Sequence, residues 1–227
     1  MMNKTKIEGH PSLVIVYPDD CQDEVILGGY DGGYSRLAYR SRPNLLGGNP
    51  LNGEKSDGPK DVLIRELTEE IERGNELDLT EKPVLWASKK DILSIRKSII
   101  ENLRPYADFL YEAEPLEGAI KEKITAIYSV FVSKVPREIA ELIRNNFKTG
   151  KRMATEGFLG IYYLYALSVA GEYSTSNATA KILSEYFKIL IPSPEEIKIT
   201  KLEKPIRENY SDYTSDYEYT ESAWSRE

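Results

Sequence analysis

The stretch "GGNPLNGEKSDGPKDVLIRELTEEIERG", residues 47–74, is the most informative part of the sequence, because its glycine-rich loop leads into a strongly marked helix. Its first part comes within one residue of the phosphate-binding loop G-x-x-x-x-G-K-S, and Glu54 is the residue that breaks the match. A phosphate-binding loop needs a buried strand before it and a helix directly after it. Residues 40–44 do not have the pattern of a buried strand, and Gly58-Pro59 delays the helix. The stretch is therefore not predicted to be a phosphate-binding loop.

The second part of the stretch predicts an amphipathic helix over residues 59–73. Asp57 or Gly58 can cap this helix, Pro59 suits its first turn, and Gly74 suits the position after its end. At about 100° per residue, four apolar side chains share one face. They are Leu63, Ile64, Leu67 and Ile71.

Three carboxylates gather beside that apolar face. They are Glu66, Glu69 and Glu70, and Glu70 is expected to lie closest to the apolar boundary. Like charges at this spacing repel by about 0.2–0.5 kcal/mol per pair, so the simple alternative is a solvated acidic face. Hard cations such as Mg²⁺ prefer several carboxylate oxygens together with water and phosphate. With Glu54 added from the loop, the helix predicts metal-assisted phosphate chemistry.

The same residues resemble the Nudix box, G-x5-E-x7-R-E-U-x-E-E-x-G-U, in which U is aliphatic. Gly48 and Glu54 match its opening, and the run Arg65-Glu66-Leu67-Thr68-Glu69-Glu70 matches its core. This chain departs from the box in three places. Three extra residues precede Arg65, Leu46 replaces a usual proline, and Glu72 replaces the usual glycine. The resemblance implies an α/β (α+β) fold, a Nudix-like αβα sandwich around a mixed sheet.

The resemblance also implies an activity, that of a pyrophosphohydrolase. Such an enzyme would use Mg²⁺ or Mn²⁺ and an activated water to cleave the pyrophosphate linkage of a nucleoside diphosphate derivative, such as a nucleotide sugar, a dinucleotide or a nucleoside triphosphate. The metal ligands implied are Glu54, Glu66, Glu69 and Glu70. The catalytic residues implied are Arg65, Glu66, Glu70 and Glu156, with Glu117 and Glu122 as weaker alternatives to Glu156. A non-catalytic Nudix-fold module that senses a nucleotide or binds a protein is the alternative function.

Two basic pairs could neutralise the substrate's phosphates. Arg36 and Arg40 share one face of a predicted strand, and Lys151 and Arg152 lie close to Glu156 in the sequence. A solvated surface is an equally good interpretation of either pair. Three tyrosines near the first pair could stack on a base, although packing in a hairpin is the simpler expectation. They are Tyr30, Tyr34 and Tyr39.

We predict one domain over residues 1–195 and a flexible tail over residues 196–227, which is acidic and rich in tyrosine without an apolar period. Residues 86–118 are predicted to form a helical insertion. The predicted strands cover residues 12–17, 24–27, 34–40, 84–86 and 124–135, with one or two more in 158–169. The further predicted helices cover residues 91–110, interrupted near Pro105, and 137–147 and 177–191.

The composition of the chain limits the classes of binding partner that we expect. A net charge of −7 disfavours a nucleic-acid-binding surface, although a capped RNA is retained as an alternative substrate. One cysteine excludes an internal disulfide and one histidine excludes a multi-histidine zinc site. The N-terminal residues lack the apolar run of a signal peptide, and the uncharged residues 157–171 are fewer than the roughly 20 that span a bilayer. We therefore expect a cytoplasmic protein without a membrane partner, and a homodimer stays an open alternative.

Overall fold

The computed structural model describes residues 4–30, 42–51, 57–72, 87–113, 124–147, 157–169, 175–193 and 197–224. The strands are β1 Thr5–Ile7, β2 Ser12–Pro18, β3 Glu24–Tyr30, β4 Pro43–Asn44, β5 Leu46–Gly48, β6 Leu103–Ala113, β7 Ile124–Val135, β8 Gly157–Tyr163, β9 Lys198–Lys201 and β10 Tyr217–Tyr219. The α-helices are α1 Pro59–Glu72, α2 Lys89–Glu101, α3 Arg137–Phe147, α4 Leu164–Val169 and α5 Asn177–Phe187. Two 3-10 helices follow β9, at Tyr210–Ser215 and Glu221–Trp224.

Within these residues, eight strands form one mixed sheet. Six follow the order β4-β3-β2-β7-β6-β9, while β5 pairs with β2 and β8 pairs with β3. Strands β2 and β7 are parallel from the pair Ser12–Ser129 to the pair Pro18–Val135, and the other pairings in this sheet are antiparallel. The predicted α/β fold with a mixed sheet is confirmed.

Helices cover both faces of the sheet, so the central strand β2 is buried throughout its length. Its residues Val14 and Val16 pack with apolar side chains of α1, α2 and α3. Its residues Leu13, Ile15 and Tyr17 pack on the opposite face with side chains of α4 and α5. The alternation of side chains along a strand thus places two apolar cores on the two sides of one sheet. No helix in the described ranges is long and apolar enough to cross a membrane.

The helical insertion predicted over residues 86–118 is only partly correct. Helix α2 is present, but β6 follows it after one residue and lies inside the sheet between β7 and β9. Pro105 does not interrupt a helix, because it lies in β6 at a shift of register against β7. The predicted strands in residues 158–169 need a similar correction, since β8 ends at Tyr163 and α4 follows it directly. The predicted strands at residues 34–40 and 84–86 lie outside the described residues.

The flexible tail predicted from residue 196 is wrong for residues 197–224. Strand β9 extends the main sheet beside β6, and β10 pairs with β1 in a separate two-stranded parallel sheet. Tyr210, Tyr213 and Trp224 are buried in a third apolar cluster against side chains of β1, α1 and β7. Tyr210 and Tyr213 are therefore core residues, although the sequence around them has no apolar period. We call residues 208–224 the C-terminal strap.

Candidate functional site

Helix α1 presents its carboxylates to the chain segment that follows β4. The helix buries Val62, Leu63, Leu67 and Ile71, with Glu66 inside the same stripe. Glu66 is 7% exposed, whereas Glu69 and Glu70 are half-buried. The prediction that Glu70 lies closest to the apolar boundary is therefore wrong, because the stripe is centred between Leu63 and Leu67 and passes through Glu66.

Three residues of α1 contact three consecutive residues of β5 and the loop after it. The amide of Gly47 donates to Glu70 Oε2 at 3.1 Å. Gly48 lies against the carboxylate of Glu66, so a Cβ added at this glycine would stand 2.6 Å from Glu66 Cδ. Further on, Arg65 donates to the carbonyl oxygen of Asn49 at 2.9 Å. The two segments thus run past each other in opposite directions and hold the acidic side of the helix against the glycine turn.

Arg65 connects two of the three carboxylates. Its guanidinium lies 2.7 Å from Glu66 Oε1 and 3.2 Å from Glu69 Oε2. With its bond to Asn49, this side chain contacts the loop and both neighbouring acids. These contacts hold the guanidinium between the two acids, and the orienting role that the resemblance implies for Arg65 stays a prediction. The Arg65 guanidinium and the Gly47 amide both bind carboxylates of α1, which offsets the repulsion among these acids.

Carboxylate oxygens are the ligand type that Mg²⁺ and Mn²⁺ prefer, so the residue types on α1 suit such an ion. The described part of the chain nevertheless contains no group of three or more His, Cys, Asp or Glu side chains placed to hold a metal. The geometry explains this, because Glu69 faces Arg65 while Glu70 accepts the Gly47 amide. The residue types fit a hard cation, and the side-chain arrangement seen here does not gather three of them.

Several predicted site residues lie outside the described residues and stay predictions. They are Glu54, Arg36, Arg40, Lys151, Arg152 and Glu156, together with the alternatives Glu117 and Glu122. The structure therefore brings together Arg65, Glu66, Glu69 and Glu70 around Gly47 and Gly48. Sequence reasoning missed Asn49, which contributes a backbone carbonyl that any residue type would supply. No signal in the sequence marks such a group.

No protein-family model matches the chain. No curated protein is similar to it either.

Proposed function

We propose that this chain is a Nudix-type pyrophosphohydrolase, which cleaves the pyrophosphate linkage of a nucleoside diphosphate derivative with the help of Mg²⁺ or Mn²⁺. The observation that carries the proposal is the contact of Arg65, Glu66 and Glu70 with residues 47–49. A solvated acidic face would leave Glu66 in water, whereas here it is 7% exposed. Burying a carboxylate is costly unless it is paired, and Glu66 is paired with Arg65 at 2.7 Å, so the acid is held at a fixed position beside the glycine turn.

In this proposal Glu66, Glu69 and Glu70 would hold the metal, together with Glu54 from the loop. The ion would supply neutralisation of the diphosphate charge and a water of lowered pKa. Arg65 keeps two of the acids at fixed positions through its contacts with Glu66 and Glu69. Gly48 allows the loop to approach the helix closely, because any side chain there would overlap the Glu66 carboxylate.

The pairing of β3 with β4 and β8 supports a role at the site for the predicted residues in segments 31–41 and 148–156. Tyr30, the last residue of β3, pairs with Gly157, the first residue of β8. Gly28 of the same strand pairs with Asn44 of β4. Tyr30 and Pro43, which lie on either side of segment 31–41, and Gly157, which follows segment 148–156, therefore lie together at one end of β3. Those segments carry Arg36, Arg40, Lys151, Arg152 and Glu156, which we propose for substrate binding and for the distal acid.

The test is hydrolysis by purified protein with Mg²⁺ or Mn²⁺ on nucleoside diphosphate sugars, dinucleoside polyphosphates and nucleoside triphosphates. Loss of one metal-binding carboxylate should lower kcat by about 10²-fold or more, in line with the cost of removing one transition-state charge contact. We therefore expect Glu70→Gln to lose activity while its melting temperature stays near that of the wild type. Glu101→Gln is the matched control, because Glu101 is an exposed helical glutamate paired with Lys97 at 3.7 Å.

No turnover of any of these substrates by the wild type, or equal rates in the wild type and Glu70→Gln, would contradict the enzymatic proposal. Titration with Mn²⁺, followed by its paramagnetic resonance signal, gives an independent measure of metal binding. Glu70→Gln should weaken that binding and Glu101→Gln should leave it unchanged.

A non-catalytic nucleotide-sensing module is the second candidate. The observation that favours it is that Arg65 and the Gly47 amide already engage the helix carboxylates. A module of this kind would gain thermal stability from a nucleotide ligand and release no product. The same substrate panel, followed by melting temperature and by product release, distinguishes the two functions.

A further inference from the structure

A buried chain of hydrogen bonds centres on His10, the one histidine of the sequence, which is fully buried. His10 Nε2 lies 2.8 Å from Ser129 Oγ, and His10 Nδ1 lies 2.8 Å from Tyr219 Oη. Ser129 Oγ donates to Asp108 Oδ1 at 2.6 Å, and Tyr213 Oη donates to Asp108 Oδ2 at 2.8 Å. The chain therefore joins the main sheet, through β6 and β7, to the C-terminal strap.

The hydrogen bonds of this network all run in one direction, from Tyr219 through His10 and Ser129 to Asp108. Because Ser129 gives its proton to Asp108, its oxygen must accept one from the Nε2–H of His10. A neutral imidazole with its proton on Nε2 leaves Nδ1 as an acceptor for the hydroxyl of Tyr219. Two hydroxyl donors converge on Asp108, which is the arrangement of an ionised carboxylate. Every partner is thus satisfied when the imidazole carries no charge.

Three tyrosines of the strap cover the imidazole. The ring of His10 meets the edges of Tyr210 and Tyr213 at centroid distances of 4.8 Å and 4.6 Å, and it stacks with Tyr219 at 5.9 Å. All three tyrosines belong to the strap. Removal of the strap would expose His10 to water on these sides, whereas Ser129 and Asp108 would stay on the sheet.

The strap also contacts the first turn of α1. The amide of Tyr210 donates to the carbonyl oxygen of Asp57 at 3.1 Å. Gly58 lies against the carbonyl oxygen of Glu208, so closely that a Cβ at this position would overlap it. Asp57 is the first described residue after segment 52–56, which carries Glu54. The strap therefore fixes the point where the loop before α1 becomes the helix.

We propose that the C-terminal strap is a proton-controlled latch, which closes over neutral His10 and opens in mild acid to free the first turn of α1. The latch is a property of the strap and the sheet, so it does not depend on the proposed hydrolase activity. A protonated imidazole would carry two N–H donors and no acceptor. It would leave the Tyr219 hydroxyl without its acceptor and would place a positive charge among three aromatic rings.

The sign of the pH effect follows from two groups. Burial lowers the pKa of His10 from 6.5 to about 3, so the open form takes up a proton below pH 6.5 and the closed form does not. Burial also raises the pKa of Asp108, against the opposing effect of its bonds from Ser129 and Tyr213 and of the charge of Arg207. Uptake by Asp108 would favour the closed form at lower pH. The opening effect is therefore expected to begin below pH 6.5, and proton uptake by Asp108 in the closed form reduces it as the pH falls toward the usual range of aspartate.

The experiment is amide hydrogen exchange of the full chain between pH 7.5 and pH 5, expressed as protection factors. The reporters are the amides of Tyr210 and Thr220, which donate to Asp57 and Ile7 respectively. Uptake of one proton by His10 on opening predicts that their protection falls by up to about tenfold for each unit of pH below 6.5, and uptake by Asp108 makes the fall smaller. Amides in the paired strands β2 and β7 should keep their protection over the same range.

Two variants give the controls. His10→Gln keeps an N–H donor for Ser129 and has no group that titrates in this range, so its strap protection should not depend on pH. Tyr219→Phe removes one partner of the imidazole but keeps the imidazole, so its strap protection should still fall in acid. The proposal is overturned if strap protection in the wild type does not change with pH, or if it falls equally in His10→Gln. An equal loss of protection in the strap and in strands β2 and β7 would also overturn it.

Discussion

At the scale of single residues, Gly48 is the position where the loop and the acidic helix come closest. An added Cβ would stand 2.6 Å from Glu66 Cδ and 2.7 Å from Glu66 Oε2, so the carboxylate or the loop must move. Glu66 has little room to move, because it is 7% exposed and bound by Arg65. The identity of this glycine therefore controls the geometry of the whole cluster.

We expect Gly48→Ala to lower the free energy of unfolding by about 1–3 kcal/mol, the usual cost of forcing extra atoms into a packed site. Urea denaturation followed by circular dichroism measures this. Gly9→Ala is a matched control, because its added Cβ would have its nearest neighbour at 3.7 Å, which is ordinary contact. Equal stability of Gly48→Ala and Gly9→Ala would show that the loop does not pack on Glu66 as described.

For the three carboxylates of α1, the sequence predicts their spacing but not their burial. The spacing of Glu66, Glu69 and Glu70 on one helix could be predicted, because a helix fixes the angle between its own side chains. Their relative depth could not be predicted, since Glu66 lies against Gly48, a residue of β5 that is distant in the sequence. Long-range packing of this kind leaves no pattern within the helix sequence.

At the scale of elements, the predictions succeed where local signals are strong. Helix α1 was predicted over residues 59–73 and is observed over Pro59–Glu72, because proline, glycine and an apolar stripe all agree. Strand β7 was predicted with its observed bounds, Ile124–Val135, from a run of β-branched and aromatic residues. Strand β6 was missed, because its buried positions do not alternate and a proline stands inside it. Its partners β7 and β9, rather than its own sequence, hold it extended.

Helix α2 directly precedes the strand that was missed, and its first turn has a clear cap. Ser88 Oγ accepts from the amide of Asp91 at 3.1 Å and donates to Asp91 Oδ2 at 2.8 Å. We expect Ser88→Ala to lower the free energy of unfolding by about 0.5–2 kcal/mol, because the first-turn amide loses its acceptor. Chemical denaturation measures the loss. Ser88→Asp should restore most of the stability, and a Ser88→Ala variant as stable as the wild type would contradict this role.

At the scale of the whole molecule, the C-terminal strap completes an apolar cluster that the rest of the chain leaves open. Ile7, Val62 and Ile127 come from β1, α1 and β7, and they are fully or almost fully buried beneath the strap. The strap adds Tyr210, Tyr213 and Trp224 to this cluster. The sequence did not predict that these aromatic residues are buried. Acidic and polar residues separate them, and a segment of short 3-10 turns has no regular apolar period.

We expect a chain ending at residue 207 to lose at least about 2 kcal/mol of stability, since three aliphatic side chains would become exposed. For a protein of this size the loss corresponds to a fall of roughly 4–8 °C in melting temperature. Calorimetry measures the fall, and binding of a hydrophobic dye should increase. A chain ending at residue 224 is the matched control and should melt like the full chain. Equal melting temperatures for the two truncated chains would show that the strap contributes no stability.

The pairing of β1 with β10 has a consequence for the order in which the molecule can fold. Thr220 donates to the carbonyl oxygen of Ile7, and these residues are 213 positions apart. At a synthesis rate of roughly 5–20 residues per second, about 10–40 s pass between the synthesis of β1 and the synthesis of β10. During this interval His10 is made but lacks its tyrosine cover. The nascent protein must therefore pass through a stage in which the sheet can form while this histidine still exchanges protons with water.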